Sequence, residues 1–154
     1  IRDSSVVAMA PEYALIPKYA CWPNEISPVI SKIYAEIAIR DIIPIFESNS
    51  NVKYLAISNV ESSNDLKKYL DLLPNSINLI PKIESPNGVN NIKDITDSLS
   101  SEQKIVMLDH DDLFSKIIKN NESIDSFQNY IQKLSDYCNS NKIIFSNSLP
   151  GKMT

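Results

Sequence analysis

The chain has 154 residues, 43% of them hydrophobic and 22% charged, the profile of a globular domain with a sizeable core rather than a disordered segment. A net charge of -4 without any basic cluster argues against a nucleic-acid surface, where Lys and Arg would gather on one face. No apolar stretch approaches the roughly 20 residues of a membrane span, and two glycines, Gly88 and Gly151, cannot build a glycine-rich phosphate loop.

Taken in chain order, SVVAMA (Ser5 to Ala10) reads as the first strand. PEYALIPKYACWPNEISP (Pro11 to Pro28) is punctuated by four prolines and reads as a long loop crossing one end of a sheet, with Trp22 as its anchor. Ser27 and Pro28 start a helix over SPVISKIYAEIAIRDI, whose apolar stripe is Ile26, Ile30, Ile33 and Ile37. KYLAIS (Lys53 to Ser58) is the second strand. Ser63 or Asn64 can cap the helix DLKKYLDLL, with Leu66, Tyr69, Leu70 and Leu73 on one face.

INLIPKIES (Ile77 to Ser85) is the third strand. Side chains alternate along a strand, so Ile77, Leu79, Pro81 and Ile83 share one face, and Asn78, Ile80, Lys82 and Glu84 the other. Pro86 and Gly88 end this run, and GVNNIKDITDSL then sets Val89, Ile92, Ile95 and Leu99 on one side of a helix. KIVML (Lys104 to Leu108) is the fourth strand, and DLFSKII opens the next helix. SIDSFQNYIQKLSDYC carries Ile124, Phe127, Ile131, Leu134 and Cys138 on one stripe, and KIIFS (Lys142 to Ser146) is the fifth strand.

Strands alternating with helices over short connections predict βαβ units and an α/β fold with a parallel sheet. The repeat of roughly 25 to 30 residues suits a (β/α)8 barrel, but a full barrel takes about 200 to 250 residues. Residues 1–154 are therefore expected to form a single partial or reduced TIM-barrel domain, with 11–28 its proline-rich loop. Open sheet edges need covering, so the expected partner is a second copy, making a homo-oligomer, or the remainder of a longer chain. The chain opens on Ile1 rather than Met, so its natural start is expected to lie upstream. Cys21 and Cys138 have no ligand-spaced partner and read as reduced thiols. With no signal-peptide pattern, the expected localisation is cytoplasmic.

Two segments carry a resemblance to a known superfamily. IPKIESPNGVNNIKDI resembles the strand and helix start of pyruvate kinase, the HpcH/HpaI aldolases and the citrate lyase β-type enzymes, where KIE or IET/IES precedes P-x-G-V-x-N and an I-x-x-I stripe. IVMLDHDDLF looks like the next strand, which in those enzymes ends in an Asp-Leu signature at a matching spacing. VKYLAISNVESSNDLKKYL and NKIIFSNSLP are similar to the units before and after.

The resemblance implies that Glu84 and Asp112 bind a divalent metal, Mg2+ or Mn2+. It also implies that Lys82 is a catalytic lysine beside the enolate oxygen of a small 2-oxo acid substrate. The chemistry is consistent in itself, because these ions prefer hard oxygen ligands and are often held by one or two carboxylates. A bound ion would stabilise the enolate formed when a C–C or P–O bond breaks. Both carboxylates would lie at the carboxyl ends of adjacent strands, where parallel barrels keep their chemistry.

His110, the single histidine, and Asp111 are further candidates. Of Asp109 and Asp111, at most one should reach the site, the remaining acids capping the following helix. The chain departs from pyruvate kinase's A-R-G-D-L-G, placing His110 at the arginine, Asp111 at the first glycine and Phe114 at the second. Asn59 and Glu61 stand where S-F-V-R-S has phenylalanine and arginine. Three readings stay open: a metal-dependent lyase or aldolase, a pyruvate kinase-like phosphotransfer module, and an inactive barrel segment used for binding or assembly.

Overall fold

A computed structural model of the chain describes residues 6–9 and 40–147. The loop expected at 11–28, Cys21, Trp22 and most of the helix expected from Ser27 lie outside the described residues. Five strands, β1 (Val6–Met9), β2 (Tyr54–Ile57), β3 (Asn78–Ile83), β4 (Ile105–Leu108) and β5 (Ile144–Asn147), form one sheet. Their spatial order is their chain order, and every neighbouring pair is parallel, as the alternation of strand and helix predicted.

The first described helix, α1, covers 40–48 and runs on through Pro44, beyond the end expected at Ile42. Pro44 lies on the helix's exposed side, where a missing N–H is tolerable, while Phe46 turns into the core. Between β2 and β3 lies α2 (Ser63–Leu72). Between β3 and β4 lie α3 (Pro86–Asn90) and α4 (Ile92–Asp97), and between β4 and β5 lie α5 (His110–Lys119) and α6 (Asp125–Ser140).

Register settles which side of the sheet the helices cover. Leu55 pairs with Leu79, Ile83 with Leu108, and Val106 with Phe145. These residues pack with Leu66, Val89, Ile95, Leu113, Ile117, Leu134 and Cys138 in one hydrophobic cluster. Ala56, Ile80, Lys82, Met107 and Ser146 share the opposite face by the same register. Sequential order with right-handed crossovers requires this one-sided arrangement. Each buried Leu or Ile contributes about 1.5–3 kcal/mol to it.

Three local expectations change. The cap of α2 is Ser62, not Ser63 or Asn64, because the Asp65 carboxylate reaches back to accept from the backbone N–H groups of Glu61 and Ser62, each at 2.9 Å. The single helix expected after Pro86 is two, broken at Asn91, whose side chain donates to the Glu61 carbonyl at 2.8 Å. Val89, Ile92, Ile95 and Leu99 are nonetheless all buried, as their spacing required. On α6 the stripe is buried only from Leu134 onward, Phe127 and Ile131 being half-buried and Ile124 62% exposed.

Pro81 lies within the sheet although proline cannot donate to a ladder. It forms the last register pair of β3 with β2, and pairing with β4 begins at the next residue, Lys82. The proline thus sits where β3 passes from one neighbour to the other.

Candidate functional site

The carboxyl end of β3 is held from both sides. Val60 N–H donates to the Lys82 carbonyl at 3.2 Å, and Asp109 N–H donates to the Ile83 carbonyl at 3.0 Å. Ser85 caps α3 by accepting from Gly88 N–H at 3.1 Å. The glycine is required by close approach, since a Cβ there would stand 2.7 Å from the Val60 carbonyl oxygen.

Lys82 and Glu84 share the face away from the helices, as alternation predicts. The Lys82 ammonium lies 3.0 Å from Glu84 Oε1 and 3.2 Å from Asp109 Oδ2. It also donates to the Ser58 hydroxyl at 3.4 Å, Ser58 standing one step beyond β2 on the same face. Glu84 is 6% exposed. Its Oε1, though close to the ammonium, has no partner in hydrogen-bonding geometry.

Extending the pairing of Ile83 with Leu108 by one residue puts Glu84 beside Asp109. Helix α5 begins immediately afterwards, with Asp109 as its cap accepting from Asp112 N–H at 3.4 Å. That first turn brings the Asp112 carboxylate back over the strand end. One oxygen each from Glu84, Asp109 and Asp112 then lie within 4.8 Å of one another, close enough to hold a metal ion. Three carboxylates and one ammonium leave two formal negative charges, those a divalent cation would neutralise. The donors are all hard oxygens, matching Mg2+- or Ca2+-type chemistry rather than that of soft metals.

Burial alone would lower the Lys82 pKa, but Glu84 and Asp109 outweigh it and hold it above the ordinary lysine value. Lys82 is therefore a standing positive charge at neutral pH and not a free amine.

The sequence-predicted residues divide. Lys82, Glu84 and Asp112 converge at one strand end. His110 does not join the carboxylates: its ring meets Phe127 edge-on, with centroids 6.2 Å apart, and its Nδ1 is buried without a hydrogen-bond partner. Asp111 is exposed in the first turn of α5 and stands outside the cluster. Asp109 both caps the helix and joins the cluster, a double role the alternation argument did not resolve. Ser58 was legible in principle, because the register that pairs Ala56 with Ile80 carries it to Lys82. Lys116 had no local signal. It donates to the Asn59 side-chain oxygen and lies 3.8 Å from Glu61 Oε1, tying α5 to the loop after β2.

No family model matches the chain, and no curated protein does either. Among solved structures it is similar to RipC from Yersinia pestis, with 18% identity and a TM-score of 0.60 over 99% of this chain and 74% of that one. This likeness concerns the fold. None of the described helices is long and apolar enough to cross a membrane.

Proposed function

We propose that the chain is a cytoplasmic, divalent-metal-dependent lyase or aldolase of the pyruvate kinase-like and HpcH/HpaI superfamily, acting on a small 2-oxo acid. One observation carries the reading: a nearly buried carboxylate, Glu84, lies within 4.8 Å of two further carboxylates and 3.0 Å from a lysine ammonium. The parallel sheet with helices on one side is the form a segment of (β/α)8 wall would take, and the cluster lies at the carboxyl strand ends, where such barrels work. Ile144, on the edge strand β5, is 48% exposed, and a second copy or further chain would cover that edge.

Glu84 and Asp112 would hold Mg2+ or Mn2+, which when bound supplies Lewis-acid stabilisation of negative charge on a substrate oxygen. Lys82 adds a fixed positive charge. As an ammonium paired with Glu84 and Asp109, it would stabilise negative charge developing on an enolate oxygen. Ser58 and Asp109 hold its side chain in place. The phosphotransfer alternative is weaker, because Arg40, exposed on α1, is the one arginine among the described residues. The alternative of an inactive module for binding or assembly draws on the exposed β5 edge.

Titration of the chain with Mn2+ by calorimetry, beside Glu84→Gln, tests the site. Binding that the variant loses while its melting curve is unchanged supports the reading. Metal-dependent exchange of pyruvate methyl protons for deuterium, followed by NMR, tests enolate formation. Mn2+ binding without any exchange or 2-oxo acid turnover would leave the inactive alternative.

A further inference from the structure

The three carboxylates differ in what they have left to offer a cation. Both oxygens of Asp109 are committed, Oδ2 to the Lys82 ammonium at 3.2 Å and Oδ1 to the Asp112 N–H at 3.4 Å. Glu84 is 6% exposed, and its Oε1 has no hydrogen-bond partner despite the neighbouring ammonium. The Asp112 carboxylate makes no hydrogen bond or ion pair among the described residues. Lys82 is itself a cation at the cluster, in contact with the carboxylate that a metal needs most. A divalent ion bound at Glu84 would stand beside that ammonium, and the two like charges would repel.

From this division we infer that Asp109 is a positioning residue rather than a metal ligand: the Lys82 ammonium, which bridges Asp109 and Glu84, keeps Asp109 as its partner when a divalent ion takes Glu84 and Asp112. The inference rests on the metal-binding reading above. Charge supports the division, since Asp109 balances Lys82, and Glu84 with Asp112 balance one divalent cation. The cap contact to α5 fixes Asp109 in the orientation that presents Oδ2 to the lysine. Without Asp109, Glu84 would be the remaining carboxylate in contact with Lys82, and lysine and metal would compete for it.

A double-mutant cycle on the full chain tests this, with Mn2+ affinity measured calorimetrically for the wild type, Asp109→Asn, Lys82→Met and the pair. Asparagine caps helices as well as aspartate does, so α5 keeps its start, and circular dichroism melts check each fold. With Lys82 present, Asp109→Asn should weaken Mn2+ binding by about tenfold, on the order of the loss expected from one nearby charge. With Met at position 82 the same change should weaken it by about threefold or less, the residue of general charge attraction. Lys82→Met should therefore rescue the Asp109→Asn defect. Equal losses in both backgrounds would make Asp109 a direct ligand and overturn the inference while keeping the metal site. No loss in either background would overturn it as well. A wild-type chain that binds no Mn2+ would remove the metal reading and this inference with it. Should Asp109→Asn fail to fold, Asp109→Ser, also a good cap, carries the same comparison.

Discussion

The two faces of β3 are built from alternate residues of the same six-residue strand, yet they obey different rules. Leu79 and Ile83 face the helices and disappear into a continuous apolar cluster, where Ile83 is fully buried among Leu108, Val89 and Ile95. Ile80, itself buried, faces the other way with Lys82 and, just past the strand, Glu84, and it is at the strand end that charge meets charge. One face is satisfied by its neighbours. The other carries two surplus negative charges and a buried carboxylate oxygen without a hydrogen bond. Packing on the first face makes the second affordable, because an ion cluster at a strand end needs a backbone that cannot yield.

The largest effect should come from the packed face. Ile83→Ala should cost about 2–5 kcal/mol in urea unfolding, and saturating Mn2+ should recover none of the cavity cost beyond ordinary binding linkage. On the opposite face, Lys82→Met leaves Glu84 buried without its cation and should cost about 1–3 kcal/mol. Here added Mn2+ should stabilise the variant more than it stabilises the wild type, because the ion replaces the lost positive charge. If Mn2+ shifts the melting temperatures of Ile83→Ala and Lys82→Met equally, the two faces are not functionally distinct.

Gly88→Ala probes the seam between them. Its Cβ would press on the Val60 carbonyl, and backbone cannot move aside as a side chain can, so about 1–3 kcal/mol should be lost. The loop after β2, which holds Ser58 on Lys82, should loosen with it, seen as faster amide exchange at Val60. Unchanged exchange there would show that the approach is easily relaxed.

The last effect is confined to alkaline pH. Burial pushes the Cys138 thiol up from 9.0 to about 11, and burial together with the Asp65 carboxylate pushes the Tyr69 hydroxyl up from 10.0 to about 12. Lys82 is also raised. In each case the folded state binds the proton more tightly than the unfolded one. Stability is therefore full below pH about 9 and declines as pH rises through 11 to 12. A urea midpoint that rises over this range would contradict the assignment. Cys138, held as a neutral buried thiol, should also resist alkylation in the native chain at neutral pH.

Much of the fold was legible because alternation and helical spacing are properties of short segments. The strand positions, their parallel order, the buried stripes of α2 and α4, and the shared face of Lys82 and Glu84 all follow from periods of two and 3.6 residues. Leu70 shows the limit: it fits the stripe of α2 but is 36% exposed, because spacing names a face and not the width of the neighbour covering it. The convergence of Glu84 with Asp112 was expected through a resemblance, and strand register supplies its geometry.

The sequence by itself determined which residues alternate, which stripes must be buried and which strands could stand side by side, since these depend on backbone geometry and on few neighbours. Tertiary structure alone decided that Asp109 joins the carboxylates while capping α5, that His110 turns to Phe127, that α3 and α4 part at Asn91, and that Lys116 reaches Asn59. Each of these pairs a residue with one from another segment, or sets a loop's direction by the register of two strands. A side chain between several partners takes the one that the packed backbone brings within about 3 Å, and that choice is made between segments, not within any of them.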